Sequence, residues 1–375
     1  MTPLASIIGS GFLVVAPLLG SIMGDQAPIA MLGIVVVAFL IGAVIRFNIA
    51  HLEERIDDRS CGKVVLHVEQ ASGVALGLAY VVSVAFYLRL LGAFALRGIG
   101  ITSEVGDQII ATLLLLLIGA TGARRGLHGL ERAEQVSVSV KLSIIVSLLV
   151  GLALRTADTG TVPGALFHEP QGPVGGIGSL RLLFGLLLVI QGFETSRYLG
   201  HEYDRPTRVR TMRRAQLLSG AVYVTFVFLV LPLLPLLPPG PASETGIIDA
   251  VSYVSPILPV LLVIAALMSQ FSAGVADTIG AGGLLSEASR GRLSDRRAYL
   301  AICLAAIALL WTVDMFAIIT LASRAFALYY FLQTVAALVT ARHVLSGARK
   351  AWAQAGLFAL ALLLLAVVLF ALPAE

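Results

Sequence analysis

Residues 184–206 read Phe-Gly-Leu-Leu-Leu-Val-Ile-Gln-Gly-Phe-Glu-Thr-Ser-Arg-Tyr-Leu-Gly-His-Glu-Tyr-Asp-Arg-Pro, an apolar run interrupted by a glycine and a carboxylate. Glycine weakens a helix by about 1 kcal/mol relative to alanine, and a carboxylate inside a membrane-length run is costly to bury. A helix that carries Gly192 and Glu194 in its middle is therefore expected to be broken there. In a membrane protein such a position is by default a functional one.

The rest of the chain is also strongly apolar. Of its 375 residues, 58% are hydrophobic and 13% are charged, against about 25% charged in soluble proteins, and the mean hydropathy is +0.94. This composition predicts a polytopic membrane protein. Two cysteines and six scattered histidines exclude a disulfide scaffold and offer no metal-ligand spacing. With no catalytic motif in the apolar runs, we expect no metal, no cofactor and no enzymatic activity.

Hydropathy divides the chain into eleven segments that can cross a bilayer. A crossing takes about 20 apolar residues in a helix. The boundary between spans nine and ten rests on the short polar break at 312–314. The first span is interpreted as a mature membrane segment rather than a signal peptide. In order, the predicted spans are residues 3–22, 28–50, 64–98, 106–123, 131–155, 178–201, 212–236, 253–286, 298–313, 315–341 and 351–372.

The basic residues predict how these spans are oriented. The loops after spans two, four, six, eight and ten hold nineteen of the 26 lysines and arginines, whereas the opposite loops hold only Arg97, Arg155 and Arg181. Short basic loops stay on the cytoplasmic side. We therefore expect a plasma (inner) membrane protein with a cytoplasmic N-terminus and an external C-terminus. The positive net charge is thereby explained without a nucleic-acid partner.

Spans one to five and spans six to ten form two blocks of opposite orientation, and each block begins with an interrupted helix. The interruptions are Gly9-Ser10-Gly11 and Gln191-Gly192-Phe193-Glu194. Glycine-interrupted helices at corresponding positions of two halves indicate a transporter site near the bilayer midplane, although glycine is also used for plain helix packing. The predicted fold is an all-α five-plus-five inverted-repeat transporter with broken helices one and six. Its parts are residues 1–155, the inverted repeat 156–345 and an additional helix in 346–375.

Three stretches carry a resemblance to a known family. Residues 7–12 with Pro17, residues 184–194 with the acidic–proline turn at 202–206, and residues 131–151 resemble the first, sixth and fifth helices of the amino acid–polyamine–organocation (APC) transporter superfamily. The span count and loop lengths fit over nearly the whole chain. The resemblance implies a five-plus-five inverted-repeat fold and substrate exchange or proton symport. A short glycine run and eleven spans in place of twelve depart from the family pattern and leave the substrate open.

The two breaks predict where a small-molecule substrate binds. Main-chain N–H groups at the start of the outer half of span one suit a carboxylate, and free carbonyl groups in span six suit an ammonium group. Together they favour an amino acid or a related amine. The alternative is that the glycines only allow close packing against span eight. The predicted binding residues at the breaks are Ile8, Gly9, Ser10, Gly11, Phe12, Gln191, Gly192, Phe193 and Glu194.

Several of these side chains have a structural alternative. Glu194 is expected to act in the site or to pair with Arg197 three residues on. Phe193 is interpreted as a gate over the ligand, as its match in the family is, or as a packing residue. Tyr87 and Arg89 on span three are predicted to line the cavity, where Arg89 recognises an acidic substrate or pairs elsewhere.

Lys141 is the predicted coupling residue. It lies nine residues beyond Arg132, or about 13 Å along a helix, too deep to reach the surface easily. Ser139, Ser143 and Ser147 form a separate stripe that we interpret as a packing face. In sodium-coupled relatives, hydroxyls on span eight hold a cation with span one. A lysine on the fifth helix takes that place in proton-coupled members. We therefore predict that Lys141 replaces sodium between spans one, five and eight, with Asp277 as its candidate partner and Ser269 and Ser272 as the span-eight hydroxyls. The alternative is a lysine that is permanently paired with a carboxylate.

These expectations define a secondary active transporter for an amino acid or amine, coupled to protons or to exchange and independent of sodium. Its predicted partners are the small-molecule substrate, protons and the lipid bilayer. The alternatives are a carrier for an inorganic ion or another organic solute on the same fold, and a non-transporting membrane receptor. An intramembrane enzyme is a further rival, but no His/Glu metal pair, Ser–Lys or paired-Asp motif appears in the spans.

Overall fold

The computed structural model describes residues 4, 7–9, 11–125, 131–159, 176–200, 203–236, 245–289 and 293–373. All regular structure in these ranges is helical. Eleven principal helices occur there, one for each predicted span. They are α1 (Gly11–Met23), α2 (Ala27–Phe47), α3 (Lys63–Gly98), α4 (Glu104–Arg125), α5 (Glu131–Thr159), α6 (Gly176–Gly185), α7 (Arg205–Val230), α8 (Leu258–Ala288), α9 (Asp295–Thr312), α10 (Met315–Val344) and α11 (Gly347–Phe370).

Local sequence fixes where several of these helices begin. The Asp314 carboxylate caps α10 by accepting a hydrogen bond of 2.8 Å from the main-chain nitrogen of Ala317, as N-terminal caps do. The predicted boundary between spans nine and ten is therefore confirmed. Pro206 lies in the first turn of α7, where its missing N–H has no helical partner to lose.

Length and hydropathy identify a multi-pass membrane protein. Eight stretches of the described chain are long and apolar enough to cross a membrane. The first of them, Gly11–Asp57, contains both α1 and α2. Two helices fall outside the eight: α6, because its span is broken, and α9, which begins with charged residues. The predicted all-α polytopic fold is confirmed.

Helices at equivalent positions of the two repeats pack against each other. The packed pairs are α1 with the span-six segments, α2 with α7, α3 with α8, and α4 with α9. Helices α2 and α7 run antiparallel, since Asp57 contacts Arg205 at one end and the Ala38 carbonyl accepts a 3.0 Å hydrogen bond from Gln216 further along. This is the arrangement of a five-plus-five inverted repeat. Helix α11 packs outside it, against α10.

The bundle has two ends. At one end, here called the basic face, the segment 53–57 meets the segment 205–208. At the other, the opposite face, Arg97 after α3 contacts Asp249 of the short helix Gly246–Ser252. The segments that follow spans two and six therefore share one face, and the end of α3 lies at the other.

The serine stripe on α5 differs from its prediction. Ser139, Ser143 and Ser147 lie on the exposed outer surface instead of in a packing face. The hydroxyl of Ser143 donates to the Ser139 carbonyl at 3.0 Å, and that of Ser147 donates to the Ser143 carbonyl at 2.9 Å. Because the Ser143 and Ser147 hydroxyls are satisfied one turn back along their own helix, these two serines need no neighbouring helix.

Candidate functional site

The first helix break lies just before α1. A bend at residues 8–9 follows a short helical turn, and α1 proper begins at Gly11. The main-chain oxygen of Ile7 accepts a hydrogen bond of 3.0 Å from the hydroxyl of Tyr223 on α7. Ser10 lies outside the described residues. The predicted break is present, and a carbonyl group beside it is bound by a neighbouring helix.

The second break divides span six. Helix α6 ends at Gly185, a 3-10 turn follows at Leu187–Ile190, and the chain resumes helical structure at Thr195–Tyr198. Between these pieces, Gly192 has a φ of +113°. Side chains with a Cβ rarely adopt that conformation. Glycine is therefore needed at this position for the chain to leave the helix.

Nearby side chains bind the main-chain groups of this break. The hydroxyl of Ser323 on α10 donates to the Gly185 carbonyl at 2.6 Å. The Thr195 hydroxyl donates to the Gly192 carbonyl at 2.7 Å. The carboxylate of Glu194 accepts a hydrogen bond of 2.9 Å from the Gly192 nitrogen. The break is thus stabilised by the fold, since these three main-chain groups are satisfied inside an apolar bundle.

The predicted site residues of span six meet side chains from α3 and α10. Gln191 donates to the hydroxyl of Tyr87 at 2.6 Å. The ring of Phe193 stacks on that of Tyr330, with centroids 5.3 Å apart and planes 18° apart. The Tyr330 hydroxyl donates to Glu194 Oε2 at 2.8 Å. Glu194 Oε1 is buried and has no hydrogen-bond partner among the described residues.

The structural alternative for Glu194 is an ion pair with Arg197, but the described contacts of Arg197 are with other residues. Arg197 forms an ion pair of 2.9 Å with Glu69 of α3 and also donates to Gln333 of α10. Within the described chain, Glu194 has no ion pair with a basic residue. A fully buried carboxyl group without a cation is a costly arrangement, which favours a functional interpretation of Glu194.

Lys141 on α5 is buried, with 3% of its surface exposed. It shares a small cavity of about 10 Å³ with Gly9 and Phe12 of the first break and with Ser269 of α8. The Ser269 hydroxyl is buried and has no hydrogen-bond partner within the described ranges. Spans one, five and eight therefore meet around Lys141, as predicted.

The other two span-eight residues lie away from this cavity. Ser272 is half-buried and is not among the residues that line it. Asp277 lies eight residues, or about 12 Å along the helix, beyond Ser269. Its carboxylate accepts a hydrogen bond from Ser83 of α3. The contact with α3 points Asp277 away from Lys141, and Ser269 is the residue of α8 that lies beside the lysine.

Arg89 also lies outside the group around the two breaks. Arg89 is two positions after Tyr87, so the two side chains leave α3 on nearly opposite sides. Arg89 is buried and donates to the Val313 carbonyl at 2.8 Å. Val313 is the junction between α9 and α10. The contact gives Arg89 a place in helix packing, whereas recognition of an acidic substrate would need it at the breaks.

A network of charged and polar side chains closes the basic face below the span-six break. We define the basic-face network as Glu53, Glu69, Arg197, Arg208 and Gln333. Arg208 binds both carboxylate oxygens of Glu53, at 3.1 and 2.6 Å, and donates to the carbonyl of Arg197 at 3.0 Å. Gln333 joins the Glu69–Arg197 pair by donating to Glu69 at 3.2 Å. Spans two, three, six, seven and ten are thereby linked.

Sequence reasoning missed several of these partners. Tyr330 and Gln333 are polar residues three apart on one face of α10. Such a pair inside a membrane span indicates a polar contact with another helix. Glu69 lies in the first turns of α3, where a charge is unremarkable near a membrane surface. Tyr223 is a single tyrosine in an apolar run, and nothing in the sequence assigns it to the Ile7 carbonyl.

Two broken helices at the starts of inverted repeats define a multi-pass membrane protein of the transporter class. A family model described as an APC superfamily transporter matches residues 1–371. An uncharacterized protein from Aquifex aeolicus (strain VF5) is 44% identical over 340 residues, which cover 90% of this chain and 82% of that protein. The chain belongs to the APC superfamily of transporters, and the predicted resemblance is confirmed.

Proposed function

We propose that this transporter carries an amino acid or a related amine by alternating access, driven by protons and independent of sodium. The observation that carries the proposal is the position of Lys141. A buried lysine shares one cavity with the first helix break and with Ser269. In this position a fixed ammonium group replaces a bound metal cation between α1, α5 and α8.

The physical basis of coupling is the balance of forces on the lysine. Burial disfavours the charged form of an ammonium group, and nearby oxygen acceptors favour it. A rearrangement that moves the α1 break away from α5 changes this balance, so Lys141 gains or loses its proton with the conformational change. We assign Ser269 as the α8 group beside the lysine, and not Asp277, because Asp277 contacts α3.

The substrate class follows from the two breaks. The main-chain N–H groups at the start of α1, from Gly11 onward, are placed for a carboxylate. The break at Gln191–Phe193 and the free oxygen of Glu194 are placed for an ammonium group. With Arg89 engaged at Val313, the polar groups of the site favour a substrate that carries an amine.

We further propose that the basic face is the cytoplasmic side of an inner membrane. The basic-face network then closes the cytoplasmic path in this conformation, below the Phe193–Tyr330 stack. Alternating access requires these contacts to separate, because they connect segments of span six and α7 to α3 and α10. The substrate then leaves toward the basic face.

Uptake into proteoliposomes tests the proposal. A thermal-shift screen across amino acids, amines and organic acids first identifies the ligand, because ligand binding stabilises the fold by mass action. Uptake of that ligand is then measured with and without sodium and with an imposed pH gradient. Lys141→Met should remove the response to the pH gradient and leave expression unchanged. Ser143→Ala is the matched control, since Ser143 lies on the outer surface of the same helix.

The outcomes separate the alternatives. Strict sodium dependence of the native protein, or an unchanged pH response in Lys141→Met, contradicts proton coupling through the lysine. Uptake of an inorganic ion or an organic acid in place of an amine contradicts the substrate class and leaves the coupling test intact. Binding of amino acids without any uptake favours a receptor.

A further inference from the structure

Arg46, at the end of α2, is a buried cation whose contacts within the described residues are with neutral groups. Its side chain donates to Gln216 Oε1 and, at 3.4 Å, to the Phe39 carbonyl. Its guanidinium also lies over the Phe39 ring, 4.7 Å from the centroid. Only 8% of Arg46 is exposed, and no carboxylate in the described part of the chain forms an ion pair with it. Burial of a charge is costly unless an opposite charge compensates it.

A second arginine makes this arrangement less favourable. Arg213 of α7 precedes Gln216, the partner of Arg46, by three residues, so Arg213 and Gln216 leave α7 on the same side. Arg213 is exposed on the outer surface of the bundle and, within the described residues, has no ion pair with a carboxylate. Two like charges therefore lie near each other where α2 and α7 meet. An anion placed between them would offset the repulsion and would supply the opposite charge that Arg46 lacks.

The two arginines lie at the ends of the apolar runs of their helices, where lipid phosphates are expected. The apolar part of α2, residues 27–45, is about 28 Å long at about 1.5 Å per residue, which matches a hydrocarbon core about 30 Å thick. Arg46 is the first charged residue after this run. On α7, Arg213 and Arg214 are the last charged residues before the apolar run that begins at residue 215.

The surface around the arginines is suited to lipid chains. Leu40 of α2, six residues before Arg46, is 49% exposed, and Leu217 of α7, four residues after Arg213, is 55% exposed. A soluble anion would leave this apolar surface uncovered. The acyl chains of a phospholipid cover it while the phosphate group remains beside the guanidinium groups.

We propose that Arg46 and Arg213 bind the headgroup phosphate of an anionic phospholipid on the outer surface of α2 and α7. The planar guanidinium group matches the geometry of a phosphate. Basic pockets between membrane helices attract anionic lipids of the cytoplasmic leaflet. This site is separate from the two helix breaks, and the proposal does not rest on the proposed substrate or on proton coupling.

Gln216 holds Arg46 in position for the phosphate. Its amide nitrogen donates to the Ala38 carbonyl at 3.0 Å, which leaves its oxygen directed at Arg46. A Cβ atom at residue 42 would lie 2.1 Å from the side-chain nitrogen and oxygen of Gln216. Gly42 is therefore needed for Gln216 to approach α2, and this small residue is part of the site.

Thermal unfolding of the purified full-length protein in detergent tests the proposal. The probes are phosphatidylglycerol, phosphatidylcholine and inorganic phosphate, each added to the native chain and to two variants. Arg213→Gln removes the charge that faces Arg46, and Arg214→Gln removes a neighbouring charge from the same helix. We expect phosphatidylglycerol to raise the midpoint more than phosphatidylcholine. Arg213→Gln should lose most of that difference, and Arg214→Gln should keep it.

The opposite results overturn the site. Equal midpoint shifts with the two lipids contradict headgroup recognition, and an equal shift with inorganic phosphate contradicts a lipid as the ligand. Equal losses in the two variants would show general charge attraction. If Arg213→Gln does not fold, native mass spectrometry of the wild-type chain decides the matter. Retained phosphatidylglycerol in preference to phosphatidylcholine supports the site, and no preference rejects it.

Discussion

Apart from the partly exposed Arg97–Asp249 pair at the opposite face, the two ends of the bundle are held together by different kinds of contact. At the basic face, the basic-face network joins five spans through charged side chains, with Arg208 binding both oxygens of Glu53. At the opposite face, the segment after α11 lies against α6 and α10 through its main chain. There the Leu372 nitrogen donates to the Arg181 carbonyl at 2.9 Å, and Arg324 donates to the Ala371 carbonyl at 2.5 Å.

The difference concerns what each end can do. Ion pairs between side chains separate and re-form as water enters, since a hydrated charge is also stable. Main-chain contacts packed against glycine depend on shape and do not tolerate displacement. A Cβ atom on Gly185 would lie 2.3 Å from the Leu372 carbonyl oxygen. We therefore expect the basic face to open during transport and the α6–α10–α11 contact to hold its shape.

Arg208→Gln should have the largest effect on this comparison. Arg208 is 4% exposed, and removal of one member of a buried ion pair costs about 3–5 kcal/mol. We expect the free-energy difference between the closed and open basic face to shift by about 3 kcal/mol toward the open state, which is roughly a hundredfold increase in the open population. The measurement is the rate of maleimide labelling at Ser196→Cys, a buried position below the break, with Cys61 replaced by serine.

Arg210→Gln is the control for this variant. It removes the same charge from the same helix, but at an exposed position. Its labelling rate should match that of the parent protein. Slow labelling in Arg208→Gln, together with unchanged thermal stability, would contradict the assignment of the network as the contact that closes the basic face.

The sequence predicts the helices more completely than the contacts between them. Hydropathy and charge locate eleven spans, and Gly192 with Glu194 locates the second break, because both signals depend on local composition. The partners of Arg197, Arg89 and Asp277 are not predictable in this way. Each partner lies on another helix, and the rotation of one helix against its neighbour depends on the packing of the whole bundle.

Lys141 and the serine stripe show where the position of a residue on the helical wheel predicts its neighbours and where it does not. The wheel position of Lys141 correctly predicts a residue that faces α1 and α8, because a deep lysine cannot face lipid without cost. The same reasoning is wrong for Ser143, whose hydroxyl binds its own helix. A residue whose polar group can be satisfied locally carries little information about what lies beside it.

Gly185→Ala tests the opposite face and should have the second-largest effect. The added methyl group meets a main-chain oxygen, and overpacking of this kind costs about 1–3 kcal/mol. We expect a lower thermal midpoint and easier proteolysis after α11, with no increase in labelling at Ser196→Cys. Gly33→Ala is the matched control, because no atom lies within 4 Å of a Cβ atom there. Equal destabilisation by the two variants would mean that the Leu372 contact has no special role.

Arg205→Gln should have the smallest effect and shows whether burial distinguishes the ion pairs of the basic face. Arg205 contacts Asp57 and lies 3.8 Å from Glu53, but its side chain is 33% exposed and that of Asp57 is 68% exposed. Exposed pairs contribute about 0–1 kcal/mol and weaken with salt. Labelling of Ser196→Cys should therefore rise by less than about fivefold, and this rise should vanish at high ionic strength. If Arg205→Gln opens the basic face as far as Arg208→Gln does, then the overall charge of that face keeps it closed. The buried Glu53–Arg208 pair would then make no specific contribution.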